Sequence, residues 1–123
     1  MELKDKLELL NENSSLQDIQ KYVNEMIEVR GFEKETPQDI MLLLTEEVGE
    51  LAKAIRKTTH IKMDINKKDD YDTAGEIADI FMYIVSMCRA LNIDLFKAFK
   101  DKEKINCNRT WKWGVVNETN III

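Results

Sequence analysis

Proline occurs once in this 123-residue sequence, at Pro37, and glycine only four times. Long stretches therefore run without a backbone breaker, which favours helices. β-Branched residues are scattered rather than gathered into alternating runs, so a sheet protein is not expected. The two cysteines, Cys88 and Cys107, form no metal-type pair and read as reduced thiols. The single histidine is His60. No run approaches the ~20 apolar residues that a membrane span needs. The opening MELKDKLELLNEN carries acids where a secretory leader needs an uninterrupted apolar segment. A cytoplasmic setting without membrane contact is the expectation. Acids outnumber bases by 23 to 18, for a net charge of -5. A duplex-binding protein needs a basic face, so nucleic acid is not expected as the main partner. A small phosphorylated ligand is compatible with this balance.

What the chain does have is helical periodicity. Ser14 and Ser15 precede apolar Leu16, Ile19, Val23, Met26 and Ile27, and Gly31 supplies a stop. Thr36 and Pro37 open a second helix that should run to about Lys57. Met41, Leu44, Val48, Leu51, Ala52 and Ile55 form its apolar face. Residues 58–72 are charged and aperiodic and read as a loop. A third helix begins near Thr73, with Glu76 completing a possible capping box, and ends near Leu91. Asp94 can cap a fourth that reaches about Asn108. The tail carries Trp111, Trp113 and a terminal isoleucine triplet, an apolar end suited to packing on the body or on a second subunit. The fold class is all-α, an antiparallel bundle of about four helices in a single domain over residues 1–123.

The third helix carries the sharpest signal. From Ala74 to Cys88 its apolar side chains cover nearly the whole circumference, as in a buried helix. Glu76 and Asp79 sit inside this run, and Tyr83 follows along the same stripe. Buried acids are paired or bind metal, because an unpaired buried carboxylate costs several kcal/mol or more. The second helix offers Glu46, Glu47 and Glu50 within about one third of its circumference. Like charges at these spacings destabilise an isolated helix by ~0.2–0.5 kcal/mol per pair. A divalent cation between the two helices would satisfy all five acids. Their oxygen-only donors favour magnesium, or manganese, over zinc, and magnesium commonly completes its shell with phosphate oxygens. Phosphate chemistry is the first hypothesis. Taken singly, the features have plainer readings: the acids of the second helix as a solvated face, Glu76 as a cap partner, Tyr83 as a core tyrosine. Lys100, Lys102, Lys104 and Arg109 gather at the end of the fourth helix, beside the two tryptophans. They suit phosphate oxygens, or simply a solvated helix end.

The words LLLTEEVGELAKAIRK and GEIADIFMYIVSM, with the downstream Asn106, Arg109 and Trp111, resemble the MazG-like all-α nucleoside triphosphate pyrophosphohydrolases. These are related to the dimeric dUTPases and the dCTP pyrophosphatases. The resemblance covers roughly residues 16–111, leaving 112–123 as a tail. It implies a helical bundle completed by oligomerisation as a homodimer or homotetramer, with magnesium at each site. It implies cleavage of a nucleoside triphosphate, ribo- or deoxyribo-, to the monophosphate and pyrophosphate. Carried over residue by residue, Glu47, Glu50, Glu76 and Asp79 would hold the metal, and Glu46 would be a further ligand or orient the attacking water. Glu46, Glu47 and Glu50 would form the catalytic acids. Tyr83, Lys104, Asn106, Arg109 and Trp111 would contact the nucleotide, with Phe32 and Trp113 further candidates for the base. A di-iron bundle is disfavoured, because such sites use Glu-x-x-His pairs that this chain lacks. The alternative from another class is a non-catalytic helical module for nucleotide binding or interaction.

Overall fold

Four of the five helices begin where a short polar side chain satisfies a free backbone donor. The computed structural model describes residues 1–58, 72–116 and 121–122. Helix α1 spans Leu3–Leu9, α2 Leu16–Arg30, α3 Pro37–Lys57, α4 Thr73–Ala90 and α5 Leu95–Cys107. Ser15 and Thr36 cap α2 and α3 in reciprocal boxes with Asp18 and Asp39. Gly31 ends α2 with a left-handed φ of 79°, and Asp94 caps α5. The four expected helices are therefore all present. The aperiodic segment expected as a loop lies outside the described residues over 59–71, and His60 with it.

Three local readings change. Helix α1 was not expected, because seven residues are too few to stand alone. It is held by Leu3, which packs against the core, and by a 3.0 Å Lys6–Glu25 ion pair. The cap of α4 is Asp72 rather than Thr73: its carboxylate accepts from the Gly75 N–H at 3.0 Å. Glu76 is thereby released from any capping role. The tail residues Val115–Val116 and Ile121–Ile122 pair with each other as a two-rung antiparallel ladder.

The main seam joins α3 to α4, and α2 packs on another face of α4, with α1 and α5 against α2. Val23, Met26 and Ile27 of α2 meet Val85 of α4 in the core. Gln20 fixes the turn into α5, donating to the Ile93 carbonyl at 2.8 Å and accepting from the Leu95 N–H at 3.2 Å. Asn92 takes a left-handed φ of 55° in that turn, a conformation asparagine tolerates.

The expected faces of α3 and α4 are corrected by this packing. Helix α3 buries Ile40 and Ala54, while Met41, Val48 and Ile55 of the expected apolar face are each about half exposed. Helix α4 is not buried all round. It buries Val85 and Cys88 but leaves Ile77, Ile84 and Leu91 exposed. The physical reason is that one chain brings too few helices to enclose two amphipathic partners on every apolar side.

Gly31 is the one glycine whose conformation another residue would resist. A Cβ there meets nothing within 4 Å, so strain alone sets the cost. Gly31→Ala is expected to destabilise the fold by about 1 kcal/mol. Chemical denaturation should show a lower midpoint with an unchanged slope.

Candidate functional site

Ile40, Glu47 and Ala54 lie seven residues apart, two helical turns each, so they share one stripe of α3. Because Ile40 and Ala54 are buried, Glu47 between them is carried into the seam. On α4, Glu76, Asp79 and Tyr83 recur at spacings of three and four and form one stripe. The two stripes meet. Ligand oxygens of Glu47, Glu76 and Asp79 all lie within 4.8 Å of one another.

The electrostatics of this triad are those of a group short of positive charge. A side-chain hydrogen bond with Glu76 raises the Glu47 carboxyl to about 7. Burial adds to it, followed by the charges of Glu76, Asp79 and Glu46. Oε2 of Glu76 is buried without a hydrogen-bond partner among the described residues. Two oxygens bound to one magnesium at ~2.1 Å stand ~3–4 Å apart, so a small inward movement of these carboxylates would enclose such an ion. An orphaned buried oxygen, a carboxyl holding its proton near neutrality and an oxygen-only donor set all fit a hard divalent cation.

The other sequence candidates are placed differently. Glu46 is exposed at the edge of the triad and acts on Glu47 through its charge. Glu50 stands outside the triad and pairs with Lys53 at 3.5 Å. Tyr83 lies beside it, its hydroxyl pKa raised by burial and then by Glu47, Glu35 and Asp79. The α5 group engages itself instead. Trp111 donates its indole N–H to the Asn106 carbonyl at 3.0 Å, and the Arg109 guanidinium lies 4.5 Å from the Trp111 ring centre. Asn106 reaches Glu103 at 3.5 Å, and Lys104 is exposed.

A cavity of about 620 Å³ opens beside the triad, between α2, α3 and α4. Glu47 and Asp79 form part of its wall, with Tyr83 next to them. Phe32, Ile27, Ile40 and Met82 supply apolar lining, while Arg30 and Arg89 supply donors and Ser86 an acceptor. Apolar and polar groups share the lining about equally, which suits a ligand that is itself part apolar and part charged. The MazG nucleotide pyrophosphohydrolase domain matches residues 35–109, more than half of the chain.

The chain belongs to the MazG family.

No curated protein matches it significantly. The acidic triad of this MazG chain lies wholly inside the matched segment, as does Tyr83. Three lining residues escaped the sequence reading. Ser86 continues the Asp79–Tyr83 stripe by three residues, a signal that was present. Arg30 and Arg89 resemble ordinary basic helix ends, and only the packing of α2 against α4 turns them towards one space. Among the described residues no helix is long and apolar enough to cross a membrane.

The raised Glu47 carboxyl makes a pH test possible. Its ionised form is disfavoured in the folded state, so this group removes stability as pH rises from 4.5 to about 7. Below 4.5 it removes none, and above about 7 the loss is complete. In metal-free buffer, the melting temperature of the wild type should fall relative to Glu47→Gln across that interval. Parallel curves would show that Glu47 titrates as an ordinary surface acid.

Proposed function

We propose that the protein is a magnesium-dependent nucleoside triphosphate pyrophosphohydrolase that releases the nucleoside monophosphate and pyrophosphate. The carrying observation is the Glu47–Glu76–Asp79 triad, two of whose members, Glu47 and Asp79, line a nucleotide-sized cavity. Family membership supports nucleotide pyrophosphate-bond hydrolysis as the class of chemistry.

In this reading Glu47, Glu76 and Asp79 hold the cation. Glu50 joins them by giving up Lys53, an exposed pairing worth only ~0–1 kcal/mol. Bound magnesium would neutralise charge on the triphosphate and draw its oxygens towards the carboxylates. Glu46, exposed at the edge of the triad, orients a water and accepts its proton. The water oxygen bonds to the α-phosphorus in line with the α–β bridging oxygen. That bridging bond breaks, and pyrophosphate leaves with its electron pair. Tyr83 contacts the nucleotide between the phosphates and the cavity.

The reading includes assembly as a homodimer or a dimer of dimers. Met41, Val48 and Ile55 on α3, and Ile77, Ile84 and Leu91 on α4, are seven-residue series of exposed apolar side chains. Such series suit helix packing against a second copy. Lys104, Asn106, Arg109 and Trp111 would reach the nucleotide from that copy, since none of them lines the cavity of their own chain.

Asp79→Asn should reduce magnesium-dependent pyrophosphate release by more than the ~10–100-fold that loss of an outer partner of a metal ligand costs. It should also abolish thermal stabilisation by magnesium while helical circular dichroism persists. Wild-type release from this variant would sink the site. Magnesium binding by the wild type with no release from any nucleotide would leave the non-catalytic module. For the assembly, Val48→Glu combined with Ile84→Glu should lower the mass measured by light scattering to that of one chain. An unchanged oligomer would move the interface elsewhere.

A further inference from the structure

The cavity runs along α4 away from the triad, and the helix gives it a scale. From Asp79, Tyr83 is about one turn on and Ser86 about two, with Arg89 nearly three. At 1.5 Å per residue, Ser86 stands ~10 Å and Arg89 ~15 Å beyond Asp79. All four residues line the cavity. Its near end is acidic: Glu47 and Asp79 lie there, and Glu35 acts on Tyr83 beside them. Arg89, from the last turn of α4, marks its far end, and Arg30, from the end of α2, also lines the cavity.

These two groups have donors to spare. Each guanidinium offers five N–H groups and accepts none. Arg89 makes one long contact, 3.4 Å to Glu28, whose side chain is 67% exposed. Arg30 has no ion-pair or side-chain hydrogen-bond partner among the described residues. Ser86 spends its own proton on the Met82 carbonyl at 2.9 Å, so it faces the cavity as an acceptor. A nucleotide with its phosphates at the acidic triad would lay its sugar near Tyr83. Its base would then point its outer edge towards Arg89.

We propose that Arg89, supported by Arg30, selects nucleotides whose base carries a carbonyl on the edge far from the sugar. This inference rests on the nucleotide reading above and deepens it. Uracil, thymine and guanine present such a carbonyl, whereas cytosine and adenine present an amino group at the same place. A donor-only guanidinium bonds the carbonyl and is left unpaired against the amino group. A site with buried hydrogen-bonding groups rejects ligands that leave those groups unpaired. Glu33 also lines the cavity and would favour an amino group, but it is exposed to water. The Arg89 side chain is only 27% exposed, so its unmade bonds carry the larger penalty.

The test compares kcat/KM with magnesium for UTP, TTP, GTP, CTP and ATP, and for dUTP, dGTP, dCTP and dATP. Equilibrium titration of the uncharged nucleosides uridine, cytidine, guanosine and adenosine without metal gives a readout independent of turnover. The wild type is expected to favour the carbonyl-bearing member of each pair by about tenfold, within the range of one good base contact. Arg89→Ala should bring the uracil, thymine and guanine nucleotides down to the level of the others. Arg89→Gln, which accepts as well as donates, should narrow the gap between the two classes of base. Arg30→Ala should give a smaller loss in the same direction, and it stands in for Arg89→Ala if circular dichroism shows that variant unfolded. Turnover without the carbonyl preference overturns the assignment, as does an equal loss across all bases in Arg89→Ala. Absence of pyrophosphate release from every nucleotide overturns the underlying reading, a result distinguishable from either.

Discussion

Three carboxylates held within 4.8 Å of one another, in the seam between the two longest helices, are the constraint to which the rest of the chain answers. Helix seams are ordinarily apolar, since burying carbon contributes ~25 cal/mol per Å² and burying charge costs. Here the stripe of α3 that enters the seam reads Ile40, Glu47, Ala54, and the stripe of α4 that meets it carries Glu76 and Asp79. A side-chain hydrogen bond with Glu76, burial and the repulsion together raise the Glu47 carboxyl to about 7. Oε2 of Glu76 still lacks a partner among the described residues. Polar groups left in this condition mark places where the bare fold is not at its own stability optimum.

Placing acids inside rotates apolar residues outside. Once Glu47 faces α4, Met41, Val48 and Ile55 turn towards solvent, and α4 likewise shows Ile77, Ile84 and Leu91. Small domains bury a limited share of their surface, so a chain that spends part of its seam on carboxylates has little apolar core left. The buried core is correspondingly slight: its one fully buried large side chain is Val85. The charged seam and the exposed apolar series are thus two consequences of one choice of helix orientation.

That orientation marks the limit of what the sequence made legible. Caps and stops were readable because Ser15, Thr36, Pro37, Gly31 and Asp94 act on their own backbone, a few residues away at most. Helix spans followed within a residue or two. The site was readable through Asp79, since an acid in mid-helix among apolar neighbours has few structural uses. Which side of α3 faces inward was not, because a helical wheel shows that acids and apolar residues lie apart without saying which face meets the partner. Glu47 and Glu50 share the same local pattern, and only packing sends one to α4 and the other to Lys53. The α5 residues fail for a related reason. Asn106, Arg109 and Trp111 are contiguous enough to satisfy one another, which spacing cannot distinguish from a cluster that reaches a distant site.

The same orientation explains why the cavity has two chemically distinct ends. Helix α4 packs against both α2 and α3, so one cavity gathers lining from all three. Along α4, Asp79 marks its acidic end and Arg89 lies ten residues on, with Arg30 of α2 also in the wall. Four acids, Glu33, Glu35, Glu47 and Asp79, share the cavity lining with two arginines, so a ligand that is simply anionic is disfavoured there. In the proposed reading a triphosphate enters the acidic end with a cation that reverses the local sign, and its neutral base meets the arginines. Metal dependence and base selection would then follow from one electrostatic arrangement, set by how three helices pack.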